Sequence, residues 1–221
     1  MYDWDFNVVY SYLPLLFRGL LVTFYISLFS IIFGTILGLL VSFYRYSRLR
    51  FISLFCKIYI EVFLALPVLI MLIWVYYCIP LIGIKINQVT ATLIVFVISL
   101  SAFVAETFRS GYESIPGGQI EAAKTFGFSR IEVYQYIVLP QAFTSVLPAL
   151  LTQYLTAIKL TTLASVIGLY ELLHVANDIV GMIYRPLELY SVVALLFLVI
   201  IIPLNIIIRK IESGIVKSDL S

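Results

Sequence analysis

Few residues in this 221-residue chain have the types and spacing that chemistry requires. The single histidine, His174, stands three residues after Glu171 and shortly before Asn177 and Asp178, and one histidine among scattered acids makes a poor metal or catalytic set. Cys56 and Cys78 fall inside apolar runs without ligand-like spacing, so they imply neither a disulfide framework nor a metal site and read as lipid-facing or packing residues. The stretch Gly118 to Thr125 reads G-x-x-x-x-A-K-T, one residue short of a phosphate-binding loop. It fails because Ala123 stands where the loop needs glycine, no strand precedes it and the segment prefers to be helical. No nucleophile and base converge, so no catalytic residue is assigned and no metal is expected. What remains is Lys159, a compact cation flanked by Thr161 and Thr162 inside an apolar run, which could hold a carboxylate. The competing reading is that Lys159 snorkels to an interface or pairs with an acid for packing.

The elements around these residues are dictated by composition. Hydrophobic residues make up 62% of the chain and charged residues 12%, against about half and a quarter in soluble domains. A crossing needs roughly 20 apolar residues, and runs of that order cover Gly19 to Tyr44, Val62 to Ile84, Ile86 to Ala105, Val133 to Ile158 and Leu189 to Ile208. They do not alternate as barrel strands do, and lipid demands internal backbone pairing, so each is read as a helix. The result is an all-α membrane protein of five transmembrane helices forming a single domain over residues 1-221. Its spans are placed at about 19-44, 59-82, 87-107, 141-167 and 188-209, with a loop over about 108-140 and the fourth span starting after Pro140.

An ionisable residue in a span costs about 3 kcal/mol and by default marks a pathway or a pair. Besides Lys159, Glu61 and Glu106 lie near the ends of spans two and three that are expected on the cytoplasmic side. Glu106 and Arg109 are spaced to pair on one helix, a structural role. Pro67, Pro148 and Pro203 interrupt spans and permit kinks, which suit a gate and equally suit packing.

Positive charge sets the orientation. Arg45, Arg48, Arg50, Lys57, Arg109, Lys124, Arg130, Arg209, Lys210 and Lys217 fall on one side, against Arg18, Lys85 and Arg185 on the other. That bias puts the N-terminus outside, the C-terminus and the 108-140 loop in the cytoplasm. The first span, longer than a signal core and preceded by Asp3 and Asp5, is read as retained. The net charge of +2 is too small and dispersed for nucleic acid. Five spans without matching halves give no support to an inverted-repeat transporter and leave little wall for a pathway, so dimerisation is expected.

The cytoplasmic loop looks folded. Ile115-Pro116-Gly117-Gly118 is turn chemistry, Gln119 to Phe126 can form two helical turns with Glu121 in the first, and Gly127 suits a left-handed cap. Ser129 and Glu132 fit a capping box, with Phe128 and Val133 at staple positions, opening a second helix that runs to Pro140. Ala122 and Ala123 present almost no side chain, so another protein could approach closely. The plainer alternative is an amphipathic helix at the membrane surface.

Glu121-Ala122-Ala123, three residues, Gly127, nine residues and then Ile137-Val138-Leu139-Pro140 resembles the "EAA" signature of ABC-importer permease subunits without a gap. "YIEVFLALPVLIMLIWVYYCIP", "AFVAETFRSGYESIPGGQIEAA", "VLPQAF" and "KLTTLASVIGLYEL" are similar to successive blocks of the polar amino-acid uptake permeases of histidine, glutamine and glutamate type. The resemblance implies the MetI-like type I ABC importer permease fold in a bacterial inner membrane. It also implies that Gly118, Gln119, Glu121, Ala122, Ala123, Gly127, Leu139 and Pro140 belong to a coupling element gripped by a separate ATP-binding subunit dimer. ATP and Mg would sit on that partner, with no cofactor in this chain. Substrate would come from an extracytoplasmic solute-binding protein and pass near Lys159, Thr161, Thr162, Glu61 and Pro67, with a second permease subunit, identical or not, completing the path in the lipid. The acidic stretch after Gly168 would be an outer loop that meets the delivery protein or closes the path.

Two departures are visible. The family commonly has Arg-Gly-Thr-Pro where this chain has Leu64-Ala65-Leu66-Pro67, and Lys-Asp-Thr-Ser-Leu where it has Lys159 to Leu163 as Lys-Leu-Thr-Thr-Leu. "MYDWDF" and "LPVLIMLIWVYYCIP" are most similar to the glutamate/aspartate branch. The rival readings are a passive channel, an ion-coupled secondary transporter and a membrane-embedded enzyme; the last finds no converging residues.

Overall fold

A computed structural model describes residues 2–218. The described residues are mostly helical: α1 (Asn7–Tyr10), α2 (Leu13–Arg45), α3 (Arg50–Ala65), α4 (Val68–Cys78), α5 (Gln88–Glu113), α6 (Gly117–Thr125), α7 (Arg130–Val133), α8 (Leu139–Leu160), α9 (Leu172–Ile183) and α10 (Pro186–Ser218). Among the described residues four helical stretches are long and apolar enough to cross a membrane singly. The pair α3–α4 passes as a fifth crossing, bent by 102°.

The bend has a local cause. Proline at 67 crowds the preceding residue out of the α region, and Leu66 and Pro67 both take extended backbone, with ψ of 128° and 127°. The α3 helix also begins at Arg50, inside the basic stretch and well before the expected start of that span.

The centre of the bundle is α2 against α5. Along α2 the buried positions include Gly19, Thr23, Ser27, Ser30, Gly34, Gly38 and Ser42, a row of small residues three or four apart. Lipid gives apolar helices no hydrophobic reason to associate, so close approach and dispersion must do it, and small residues allow that approach. At Gly38 an added Cβ would lie 2.6 Å from Val104 Cβ and 2.7 Å from the Ser101 carbonyl oxygen. Two hydroxyl pairs add cross-links: Thr35 with Tyr154 of α8 at 2.7 Å, and Tyr59 of α3 with Ser101 of α5 at 2.6 Å.

The helix that carries the expected fourth crossing starts before Pro140. The helix runs on from Arg130 to Ile167. A π turn over Tyr134–Val138 leads directly into Pro140, the second residue of α8. The widened turn absorbs the ring that would otherwise break the helix.

The stretch after Gly168, expected as an outer loop, contains α9. Fully buried Glu171 caps it, accepting from the backbone N–H of Leu173 at 3.0 Å and of His174 at 2.7 Å. The Leu172 N–H donates to Thr23 Oγ1 at 3.2 Å, and α9 lies so near α2 that a Cβ on Gly19 would come within 3.0 Å of Leu172 Cα. Nearby, Arg185 donates to the Asp3 carbonyl at 2.6 Å and pairs with buried Glu188 at 3.3 Å, while Tyr2 and the Asp5 N–H donate to Glu188, tying the N-terminal segment to the start of α10.

Candidate functional site

The segment after α5 is a built element. Pro116, with ψ of 125°, turns the chain, and α6 starts at Gly117, two residues earlier than expected. Glu121 therefore lies in the second turn and not the first, where no acid stands. At the other end Gly127 takes φ of +85°. Its N–H donates to the Lys124 carbonyl at 3.1 Å and the Phe128 N–H to the Ala123 carbonyl at 3.2 Å, the paired bonds of a Schellman cap.

The capping box follows at once. The Glu132 N–H donates to Ser129 Oγ at 3.3 Å and the Ser129 N–H to Glu132 Oε2 at 2.7 Å. Hydrogen bonds from the Ser129 side chain and backbone N–H hold the Glu132 carboxyl below its ordinary value.

One face of this element is inside. Ala123 is 5% exposed and packs with Ile115, Val133 and Val138 on Phe108 of α5 and Ala142 and Val146 of α8, with Ile120 half-buried beside them. The opposite face, with Gly118, Gln119, Glu121 and Ala122, is exposed, as are Gly127 and Pro140; Leu139 is half-buried. Of the two alanines, only Ala122 is therefore free to meet another molecule; Ala123 is spent on packing.

The element is also clamped to the end of α2. Arg130 donates to the Tyr46 carbonyl, the Tyr134 ring stands edge-on to Phe43 at 5.1 Å, and the Tyr46 and Tyr112 rings lie 4.4 Å apart. Beneath it Glu106 accepts from Arg109 Nε at 2.7 Å and pairs with Arg45 at 3.5 Å. The basic stretches after α2 and after α5 thus share one end of the molecule.

The second set of sequence candidates is at the far end of α8. Lys159 is exposed in its last turn. Both neighbouring hydroxyls are spent on the helix, Thr161 Oγ1 donating to the Ile158 carbonyl at 2.7 Å and Thr162 Oγ1 to the Lys159 carbonyl at 2.9 Å, and Thr161 is fully buried. Glu61 is exposed on α3, and none of the described contacts brings it to Lys159.

Pro67 is exposed, but its neighbour Val68 joins Leu160 around a small cavity of about 20 Å³. Ser30, Ser99 and Gln153 also line it, and the Ser30 hydroxyl is buried without a partner. A space of that size admits one water. Sequence reasoning missed these three polar residues; their signal was polarity at apolar-run positions of α2, α5 and α8. His174 spends Nδ1 at 3.1 Å from the Ser165 carbonyl oxygen and stands 3.9 Å from Asp178, and the described residues contain no metal-ligating cluster.

The family described as "Binding-protein-dependent transport system inner membrane component" matches residues 30–217. This chain belongs to that family. Among its relatives, the glutamine transport system permease protein GlnP of Escherichia coli strain K12 is 32% identical over 212 residues, covering 95% of this chain and 97% of the relative. The probable glutamine ABC transporter permease protein GlnP of Bacillus subtilis is 34% identical, covering 94% and 98%. The arginine transport system permease protein ArtQ of Bacillus subtilis is 30% identical, covering 97% and 99%.

A crystal structure of an amino acid ABC transporter with histidines superposes with a TM-score of 0.90 at 30% identity, covering 96% of this chain and all of that one. The MetNI methionine ABC transporter shares the fold at a TM-score of 0.77 and 19% identity, covering 92% and 97%. This binding-protein-dependent permease is thus an inner-membrane, multi-pass subunit of an amino-acid ABC importer. It is a transport subunit and not an enzyme, ATP hydrolysis belonging to a separate subunit.

Proposed function

We propose that the permease carries a polar or charged amino acid inward, driven through α6 by an ATP-binding subunit dimer that holds ATP and Mg. The observation that carries this is the exposed face of Gly118, Gln119, Glu121 and Ala122, on a helix closed by Gly127 and packed through Ala123 on α5 and α8. Force applied to a floppy loop would be lost in its flexing; a capped helix packed on two crossings transmits it. The basic residues at the ends of α2 and α5 support a cytoplasmic side for this face, with the N-terminus outside. Leu139 and Pro140 lie where that push enters the fourth crossing.

Substrate handed over by an extracytoplasmic binding protein passes beside Lys159, Thr161, Thr162 and the Pro67 bend, with Glu61 along the way and a second permease subunit opposite. The cargo is an acidic amino acid, glutamate or aspartate. Lys159, exposed among apolar neighbours, supports an anionic cargo, as do the stretches Met1 to Phe6 and Leu66 to Pro80 that resemble that branch. With its hydroxyl turned to backbone, Thr161 shapes this region and Lys159 supplies its charge. Uptake by vesicles holding the full transporter tests the proposal. Labelled glutamate should enter only with both ATP and the binding protein present. Entry without nucleotide would make the chain a channel or an ion-coupled carrier.

A further inference from the structure

A cleft of about 960 Å³ opens between the end of α2 and the α6–α7 element, at the upper end of the size range of small-molecule sites. Its lining contains Arg48, Lys124 and Arg130 and no acidic residue. The carboxylates closest in sequence to its α5 wall are already neutralised, Glu106 by Arg45 and Arg109 and Glu113 by Arg109. Arg130 is turned to the Tyr46 carbonyl, while Arg48 and Lys124 are exposed and have no ion-pair partner among the described residues.

Much of the remaining wall is aromatic. Phe43, Tyr46, Tyr112 and Tyr134 contribute to it, and the Tyr46 hydroxyl is buried without a hydrogen-bond partner. Burial pushes that phenol up to about 12, so it stays a protonated donor at any physiological pH.

The position is as telling as the composition. The cleft begins where the apolar helix α2 ends at Arg45, the depth at which a crossing leaves hydrocarbon for headgroups. Basic pockets between crossings at that depth suit anionic headgroups, and Tyr side chains there present an apolar body with a polar tip. A free anion would use the cations and leave the aromatic wall in water; an amphiphile uses both.

We propose that this cleft holds the phosphate of an anionic phospholipid, with Arg48 and Lys124 on its oxygens and its glycerol and upper acyl carbons along Phe43, Tyr112 and Tyr134. The site does not depend on which amino acid is carried, so it stands or falls separately from the transport reading.

The test uses the whole transporter, purified in detergent and delipidated, with native mass spectrometry counting bound dioctanoyl-phosphatidylglycerol against dioctanoyl-phosphatidylcholine. The expected result is about tenfold tighter binding of the anionic lipid at one site per chain. Arg48→Gln combined with Lys124→Gln should abolish that preference. Arg50→Gln, exposed outside the lining, and the conservative Lys124→Arg should keep it, which separates lost charge from lost fold. Equal binding of the two lipids would overturn the proposal, as would a preference that survives the double substitution. Displacement of the lipid by millimolar inorganic phosphate would also overturn it, by showing that a soluble anion suffices.

Discussion

The Phe128 N–H donates to the Ala123 carbonyl at 3.2 Å, across a Gly127 whose φ is +85°. That one bond closes the helix on which the permease would be gripped and aims the next helix back toward the bundle. A side chain at this φ costs about 1–2 kcal/mol and a β-branched one more. Nothing lies within 4 Å of where its Cβ would stand, so the cost is conformational and not a clash. Gly127→Val is expected to lower recovery of the ATP-binding subunit in co-purification several-fold while the bundle stays folded, its thermal midpoint falling by only a few degrees. Undiminished recovery would count against coupling through this element.

The two alanines of the signature are expected to behave differently. Ala122 is exposed, so Ala122→Leu should block attachment without loss of stability. Ala123 is 5% exposed inside the cluster of Ile115, Val133 and Val138, so Ala123→Leu overpacks it and should cost about 1–3 kcal/mol. Thermal unfolding of the detergent-solubilised permease, beside co-purification, separates the two effects.

Gly38 tests the central helix pair. A Cβ there would meet Val104 Cβ at 2.6 Å and the Ser101 carbonyl at 2.7 Å, and backbone cannot step aside as a flexible side-chain tip can. Gly38→Ala should lower the thermal midpoint clearly and Gly38→Leu should prevent accumulation in the membrane. Gly118→Ala, on the open face of α6 with nothing within 4 Å, should leave the midpoint unchanged.

Lys159 is expected to act on transport and not on assembly. It is exposed and has no ion-pair partner among the described residues. Lys159→Met should weaken binding-protein-dependent uptake by about tenfold or more, the worth of one charge contact in a partly dry site. Assembly of the complex should be unchanged, and normal uptake would remove the residue from the path.

What could be read from the sequence was what local physics decides alone. Lipid forces long apolar runs into helices, so the expected first crossing, 19-44, lies within Leu13–Arg45. The Ser129–Glu132 box needs only four consecutive residues, and Gly127 only a conformation that other residues avoid. What escaped depends on distant partners. Helix α9 is capped by a glutamate that needs burial against Thr23 and Gly19 of another helix to make sense. Pro140 looked like a stop because nothing local announces the π turn that accommodates it. Pro67 promised a kink, but the 102° between α3 and α4 comes from two successive extended residues, Leu66 and Pro67. Ala123 looked as available as Ala122, because which of two adjacent helical positions faces inward is fixed by how α6 lies on α5 and α8.

The most direct test of coupling through α6 places a cysteine at the exposed position Ala122, with Cys56 and Cys78 replaced, and cross-links inner-membrane vesicles with a short thiol-reactive photoprobe. A product joining this chain to an ATP-binding subunit, formed at position 122 and absent when the probe is moved to exposed Tyr170 beyond the far end of α8, is expected. A position-122 probe that reaches no such subunit, or that reacts in intact cells with reagents confined to the outer side, would contradict it.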